Sequence, residues 1–422
     1  MASEPQKALL FAAAAAVRLL LFTAFPSLPS LLAGRVEVST PVTSFKRLQE
    51  GLFLYTRNVS PYDGGVYHQA PLLLPLFSLL PNPSYSPFAT NVFYTMVDLL
   101  SAYALMQIAN SGQATVTRLF TSSRKELRWS SVAIAAGFLF NPFTVATCIA
   151  RSTSALTNLF ILTAMAKASQ GATITFVLSM AMASYLAMHP VLLFPPLLIL
   201  CYDVQSTKMK ASPHTFRFIA THSRRLIIAL GALLYLSKLL TGSWDFLGAT
   251  YGVRLLLPDL TPNVGLWWYF FTEMFDSFRE FFLGVFWLHV ASYMPGLTIR
   301  LRKQPLFVAT TLTGIFAIFT PYPSIADAAL YLSLVPVFRH LFPLMRYTFL
   351  ASSSILYTSF LGPAFYHLWI YAGSGNANFF YAITLVWSLG LSVIVGDSLY
   401  AALRDELDVE RPELRGKEVK RI

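Results

Sequence analysis

The chain has 422 residues, of which 55% are hydrophobic and only 12% charged, and its mean hydropathy is +0.56. Soluble domains carry about 25% charged residues, so these values exclude a soluble globular protein and define an integral membrane one. The net charge of +11 does not point to nucleic acid, because the cations fall in short clusters between apolar runs and not along one groove.

A membrane span takes roughly 20 apolar residues, which leaves room for about ten to twelve spans and no separate soluble domain. Residues 1–422 are therefore read as one all-α, multi-pass membrane domain. The first apolar run, 8–25, is longer than a signal-peptide core and is read as a retained span interrupted by Arg18. Further runs at 88–109, 129–148, 153–170, 172–188, 189–202, 225–241, 267–297, 305–320, 327–341, 347–371 and 378–403 bring the expectation to about twelve helices.

With the N-terminus assigned to the cytosol, one side collects Arg118, Arg124, Lys125, Arg128, Lys167, Lys208, Lys210, Arg217, Arg224, Arg225, Arg300, Arg302, Lys303, Arg339 and Arg346. The other side holds only Arg35, Lys46, Arg47, Arg57, Arg151 and Arg254. Cytosolic loops carry the excess of Lys and Arg. Both termini are thus expected in the cytosol, with 26–87 as a long first luminal loop and 404–422 as a basic cytosolic tail.

Within that loop, 41–55 reads as an amphipathic helix with Phe45, Leu48, Leu52 and Tyr55 on one side, and Ser60-Pro61-Tyr62-Asp63-Gly64-Gly65 reads as a turn. Asn58-Val59-Ser60 is an N-glycosylation sequon, whereas Pro83 rules out Asn82-Pro83-Ser84. The 189–202 run is short and contains Pro190, Pro195 and Pro196, so it is expected to be kinked or re-entrant. The 266–299 stretch as one helix would extend about 50 Å, too long for a single crossing. It is expected to divide into an interfacial amphipathic helix over 267–280 and a span from Phe281 onward. Glu273, Asp276 and Glu280 then share one face of the interfacial helix, with phenylalanines over much of the rest.

Few residues are arranged for chemistry. Cys148 and Cys201 lie in apolar runs, no Gly-x-Ser-x-Gly or Cys/His pairing occurs, and no His-x-x-x-His spacing is present. Nucleophilic catalysis and metal binding need such groupings, so no catalytic residue, metal or resident cofactor is expected. Charges at membrane depth mark structure or function. Arg18 and Lys238 are expected to snorkel, and Asp98 to serve a structural ion pair or a lipid groove. The terminal Lys420-Arg421-Ile422 is too short to define a retention signal.

The loop run Ser60-Pro61-Tyr62 with Tyr67-His68-Gln69-Ala70-Pro71-Leu72-Leu73 resembles the same region of the mannosyltransferases of GPI assembly. Inverting glycosyl transfer needs a carboxylate base, and Glu37, Glu50 and Asp63 include no paired Asp-x-Asp. Asp63 before Gly-Gly is first of all a turn residue. A broader resemblance rests on three blocks in order. They are the 62–80 loop, Trp268-Tyr269-Phe270-Phe271-Thr272-Glu273-Met274-Phe275, and Trp369-Ile370-Tyr371-Ala372-Gly373-Ser374-Gly375-Asn376-Ala377-Asn378-Phe379-Phe380.

These blocks resemble the PIG-U family, the polytopic subunit of the GPI transamidase. The resemblance implies a glycosyltransferase-C-like arrangement in the endoplasmic reticulum membrane. It also implies a non-catalytic role beside a caspase-like cysteine protease subunit, with the GPI lipid as bound substrate. Asn376 and Asn378 offer donors and acceptors at headgroup level, set against an ordinary helix cap. Tyr62, Asp63, Tyr67 and His68 form a second candidate surface, set against loop packing. Glu273, Asp276 and Glu280 face a partner subunit or a glycan amine, or simply water. Two other functions fit the same features: a dolichol-phosphate-mannose-dependent mannosyltransferase with Asp63 as base, and a purely structural scaffold.

Overall fold

The computed structural model describes residues 4–83, 85–208 and 214–417; Ser84, Lys210 and the Lys420-Arg421-Ile422 end lie outside them. The regular structure of these residues is helical, with one isolated bridge between Val116 and Thr121. The first apolar run forms α1 (Glu4–Ala24), followed by the short α2 (Leu28–Ala33). The long loop holds α3 (Phe45–Thr56), whose first turn is capped by the Ser44 hydroxyl accepting from the Arg47 amide, and α4 (Leu73–Ser78). After α5 (Phe88–Asn110) the expected 129–148 span is broken. Its halves α6 (Ser131–Leu139) and α7 (Pro142–Ile149) meet at 53°. Pro142 cannot continue a helix, and Asn141 starts the new one by accepting from the Phe143 amide.

A hairpin of α8 (Ser154–Gln170) and α9 (Thr173–Leu186) follows, turning at Gly171 in the left-handed region. The 3-10 turn His189–Leu193 leads into α10 (Phe194–Lys208), and the two together form a full-length apolar helix. The expected re-entrant segment is therefore absent there. Its three prolines sit in the first turns of these helices, where a missing N–H breaks no intrahelical bond. Next, α11 (Thr215–Thr241) begins well before 225, so Arg217, Arg224 and Arg225 ride on a helix and not in a loop. Short α12 (Val253–Leu256) and α13 (Trp267–Thr272) precede α14 (Asp276–Arg300). The expected 267–280 helix is interrupted at 273–275: α13 buries Trp267, Trp268 and Phe271, and the span already begins at Asp276. The chain ends with α15 (Pro305–Phe319), α16 (Ile325–Leu334) with its 3-10 extension Val335–Leu344, α17 (Thr348–Ile370) and α18 (Ala377–Glu410).

Among the described residues six helices are long and apolar enough to cross a membrane, or up to seven with the bent α6–α7 pair counted as one. That is short of the twelve or so expected by length. Helices α9 and α15 are apolar but have only 14 and 15 residues, and at about 1.5 Å per residue they fall short of the ~30 Å hydrocarbon core.

Buried charge holds the bundle together at two levels. Arg18 is 0% exposed and does not snorkel. Its Nη2 lies 2.7 Å from the Asp98 carboxylate and 3.0 Å from the Leu139 carbonyl, joining α1, α5 and α6. Lys238, in the last turn of α11, keeps partial exposure as a snorkelling side chain does. At the other level, the segment expected as a basic tail is helical through Glu410 and contributes acids. Arg124 reaches Asp405 at 2.8 Å and Asp408 at 2.6 Å, and Arg118 and Arg302 both meet Asp203 on α10. These cations thus clasp the 112–130 and 300–304 segments onto α10 and α18.

Candidate functional site

Two stretches of the long loop are pinned by backbone bonds. The Ile325 amide donates to the Glu37 carbonyl at 2.9 Å, and the Thr153 amide donates to the Thr43 carbonyl at 3.0 Å. The first of these contacts closes one end of an apolar groove of about 440 Å³. Leu31 and Leu32 of α2, Phe143 of α7, Gly362 of α17, and Ile383 and Trp387 of α18 line it. Its mouth carries an ion pair, Arg35 with Glu37 at 2.9 Å, and Arg35 also donates to the Pro363 carbonyl. Trp387 is 5% exposed and its indole N–H has no hydrogen-bond partner. Buried indole donors normally find one, so the groove holds an unmet donor against an otherwise apolar wall.

An aromatic rim adjoins the groove through Phe380, which lines both. Trp268 packs on Phe380 and Trp369, with ring centroids 6.0 and 6.2 Å apart, and Tyr269 stacks on Tyr381 at 4.5 Å. The Tyr269 hydroxyl donates to Asn378 Oδ1, joining the aromatic-acidic block to the start of α18. Asn376 is the N-cap of α18, accepting from the Phe379 amide at 3.2 Å. The plainer reading of Asn376 therefore holds as a structural role, while both asparagines remain exposed at the rim. Glu273 is exposed within the 273–275 break, Asp276 is exposed at the start of α14, and Glu280 lies a turn further along it. They do not form the single helical stripe expected of them.

The first-loop residues sit elsewhere and mostly point inward. Tyr62 and Tyr67 are buried and donate to the carbonyls of Gln69 and Ala70, and burial pushes both phenols well up from their ordinary pKa. Gly51 on α3 lets Tyr67 close down, since a Cβ there would meet its ring at 2.6 Å. Asp63 is exposed in its turn and accepts from the Ser60 hydroxyl at 3.1 Å. Asn58 is exposed with a φ of +56°, so its sequon stands free at the surface. Thus Tyr62, Tyr67 and His68 belong to loop packing, and only Asp63 of that set faces out.

His68 is buried with Nδ1 2.9 Å from the Ala249 carbonyl, which assigns the proton to Nδ1. Burial lowers its pKa below 6.5; nearby Arg47 adds to the shift, while the Ala249 carbonyl and Asp259 oppose it. The unfolded chain accepts a proton that the folded loop resists. The contribution of His68 is therefore complete above the unfolded value and is lost as pH falls through the folded one. Hydrogen-exchange protection over 60–70 is expected to drop on acidification from about pH 7 to pH 5, and His68→Asn to flatten that drop. An unchanged pH response in the variant would remove His68 from the loop's acid sensitivity.

Neither the groove nor the rim was legible as such in the sequence. Arg35 and Glu37 signalled only a loop, and the walls come from six separate stretches of the chain. Fold and site together define an all-helical, multi-pass membrane protein that opens an apolar groove beneath a polar, aromatic rim. Comparison with known proteins makes this specific. Residues 12–387 match the family model described as GPI transamidase subunit PIG-U. The chain is 37% identical to the GPI-anchor transamidase component PIGU of Cricetulus griseus and 36% identical to that of Homo sapiens, covering 94% of each chain in both cases. It is 35% identical to the GPI transamidase component GAB1 of Saccharomyces cerevisiae, over 95% of this chain and 96% of the yeast one. The chain belongs to the PIG-U family.

Proposed function

We propose that this chain is a non-catalytic subunit of the endoplasmic-reticulum GPI transamidase, and that it binds the GPI lipid and presents it to a caspase-like protease subunit. Membership of a GPI transamidase complex follows from the names its relatives carry. In this reading the loop over 26–87 is luminal, both termini are cytosolic, and the helices adopt a glycosyltransferase-C-like arrangement. The observation that carries the lipid-binding part is the groove: an apolar channel with the unmet Trp387 donor, an ion pair at its mouth and an amide-bearing rim beside it. Acyl chains lie along Ile383, Trp387 and Phe143. The phosphate and glycan meet Arg35, Glu37, Asn376 and Asn378, whose donors and acceptors suit hydroxyls and phosphoesters.

The test must spare the helix cap. Asn376→Ala would remove an N-cap and cost about 1 kcal/mol of helix stability, whereas Asn376→Ser keeps a capping oxygen. The Asn376→Ser/Asn378→Ala double variant is expected to lower GPI recovered with the purified complex roughly tenfold, the equivalent of one or two lost hydrogen bonds. Lipid mass spectrometry reads this directly, with thermal stability as the control. Wild-type GPI levels in the double variant would sink the rim as the glycan contact. A complex that assembles with no GPI at all would leave the scaffold role, and loss of sugar transfer in Asp63→Asn would establish the mannosyltransferase.

A further inference from the structure

A second groove, of about 910 Å³, opens between the start of α1, the end of α5 and the start of α6. It shares no lining residue with the groove beside the aromatic rim. Arg18 ties α1 and α5 to the Leu139 carbonyl at the far end of α6, and the groove lies on the side of that clasp where α6 begins. Its lining changes character along the helices. Asn110, Arg128 and Ser130 stand at the end nearest the 112–130 loop, while Leu9 and Ala13 of α1 and Val132 and Ala136 of α6 line it further in. The change from polar to apolar takes about 10 Å, the rise along α1 from Gln6 to Ala13. A bilayer changes in the same way from its headgroups to its chains.

The cations on this face of the protein divide into two sets. Arg118, Arg124, Arg302 and Arg404 are all paired with acids of α10 and α18. Arg128 and Arg339 form no ion pair among the described residues, and both belong to the groove's mouth. Arg128 is exposed and lines it; its Nε–H donates to the Lys125 carbonyl at 2.7 Å, which leaves its two terminal nitrogens uncommitted. Arg339 lies over the Trp129 ring, 5.6 Å from its centroid, and Trp129 lines the groove. Trp129 is half-exposed just before α6, as tryptophans at the membrane–water boundary are. Among the described residues no carboxylate lines the groove. Of the acids close in sequence, Glu4 is paired with Lys7 and Glu126 is exposed outside the lining. The groove is thus cationic at its mouth, without a counter-charge, and apolar within.

We infer that this groove binds an acidic glycerophospholipid, with its headgroup at Arg128 and Arg339 and the upper part of one acyl chain along Leu9, Ala13, Val132 and Ala136. A guanidinium fork matches the phosphate oxygens and supplies charge-assisted hydrogen bonds. A zwitterionic lipid brings its own cation to a mouth that already holds two and has no acid to receive it. Net charge, and not the phosphate alone, therefore sets the preference. A soluble anion would occupy only the mouth; the apolar walls commit the site to a lipid. Pockets of roughly 300–1,000 Å³ house molecules of drug size, so the space admits a headgroup and the first part of a chain. The site is independent of the GPI groove, and either assignment can fail without the other.

The experiment reconstitutes the full-length protein, in its complex, into nanodiscs of dioleoyl phosphatidylcholine containing a minority of dioleoyl phosphatidylserine. Lipid that stays bound after transfer to detergent is counted by mass spectrometry. The serine lipid is expected at about tenfold or more above its share in the disc. Retention should fall about fivefold in Arg128→Gln and again in the Arg128→Gln/Arg339→Gln double variant, since each interfacial cation is worth roughly that factor in acidic-lipid binding. Arg224→Gln is the control: Arg224 is exposed on α11, forms no ion pair among the described residues and lies outside the groove, so retention should not change. Ala133→Trp tests the apolar part without altering a charge. Ala133 is exposed on the groove wall, so an indole there fills the groove and not the core, and the enrichment should disappear. Retention of both lipids in proportion to their abundance overturns the proposal. An equal fall in Arg224→Gln also overturns it, by reducing the effect to diffuse charge, as does enrichment that survives Ala133→Trp.

Discussion

Replacing Asp98 by alanine is expected to destabilise the protein by about 3–5 kcal/mol, the cost of leaving one member of a buried ion pair without its partner. The stranded group would be Arg18, which is 0% exposed and sits between α1, α5 and α6. Its Nε and Nη2 both bond the Asp98 carboxylate, at 2.8 and 2.7 Å, and its remaining contacts are the Ala14 and Leu139 carbonyls. Those carbonyls cannot neutralise a guanidinium, and packing on all sides prevents it from reaching the membrane surface. Arg18→Met/Asp98→Leu removes both charges and is expected to recover most of the stability, because a well-packed apolar pair often equals or exceeds a buried ion pair. Thermal unfolding in detergent, followed by size-exclusion chromatography, separates these cases. A single Asp98→Ala variant that melts with the wild type would show that the ion pair carries no net stability. A loss of this size takes a marginally stable protein below the threshold for abundance, so complex assembly should fail before any lipid step is tested.

That pair also shows where the sequence is informative and where it is not. An aspartate in mid-span announces a buried partner, yet nothing local says that the partner lies 80 positions earlier. Helix α5, expected over 88–109, agrees because its apolar run is bounded by Pro87 and by Asn110 and Ser111, whereas α1 ends as expected just before Pro26 but begins four residues early through the polar Glu4–Lys7. Disagreement has local causes. Asn141-Pro142 carries both a stop and a cap, and a hydropathy window averages over them. After Leu403, hydropathy falls and cations are frequent, which reads as a tail. The helix persists because Asp405, Glu406 and Asp408 are held by Arg124 of the 112–130 loop and Arg300 at the end of α14. For the candidate site, Asn376 was readable as either cap or contact, and it is a cap that remains exposed. Tyr62, Tyr67 and His68 looked like a polar surface because their polar atoms are obvious in sequence. The backbone carbonyls that satisfy those atoms are not.

Gly362→Leu is expected to abolish GPI capture while leaving the fold intact, which is the combination that isolates the groove. Gly362 lies inside α17 and lines the groove. A Cβ added there meets nothing closer than Ile383 Cγ2 at 3.7 Å, an ordinary contact, so the backbone accepts a side chain and the rest of the leucine must enter the cavity. Replacing a helical glycine favours the helix by about 0.5–1 kcal/mol, but a Cβ before Pro363 disfavours the helical conformation, so the two effects offset and the variant should melt close to the wild type. Filling the space beside Ile383 and Trp387 removes room that an acyl chain needs, and lipid recovered with the complex should fall by at least about tenfold, since one displaced chain segment forfeits roughly 0.8 kcal/mol per methylene. Gly396→Leu is the matched control: Gly396 is exposed on α18, has nothing within 4 Å of a built Cβ, and is not part of the groove. Lipid mass spectrometry of the complex, with surface display of a GPI-anchored reporter in cells lacking their own copy, reads both steps. If Gly362→Leu assembles, melts normally and still carries wild-type GPI, the lipid lies elsewhere. If GPI is lost but the reporter is displayed normally, the groove holds a lipid that the reaction does not use. Loss of both, with assembly preserved, ties the groove to the transfer itself and leaves a pure scaffold role without support.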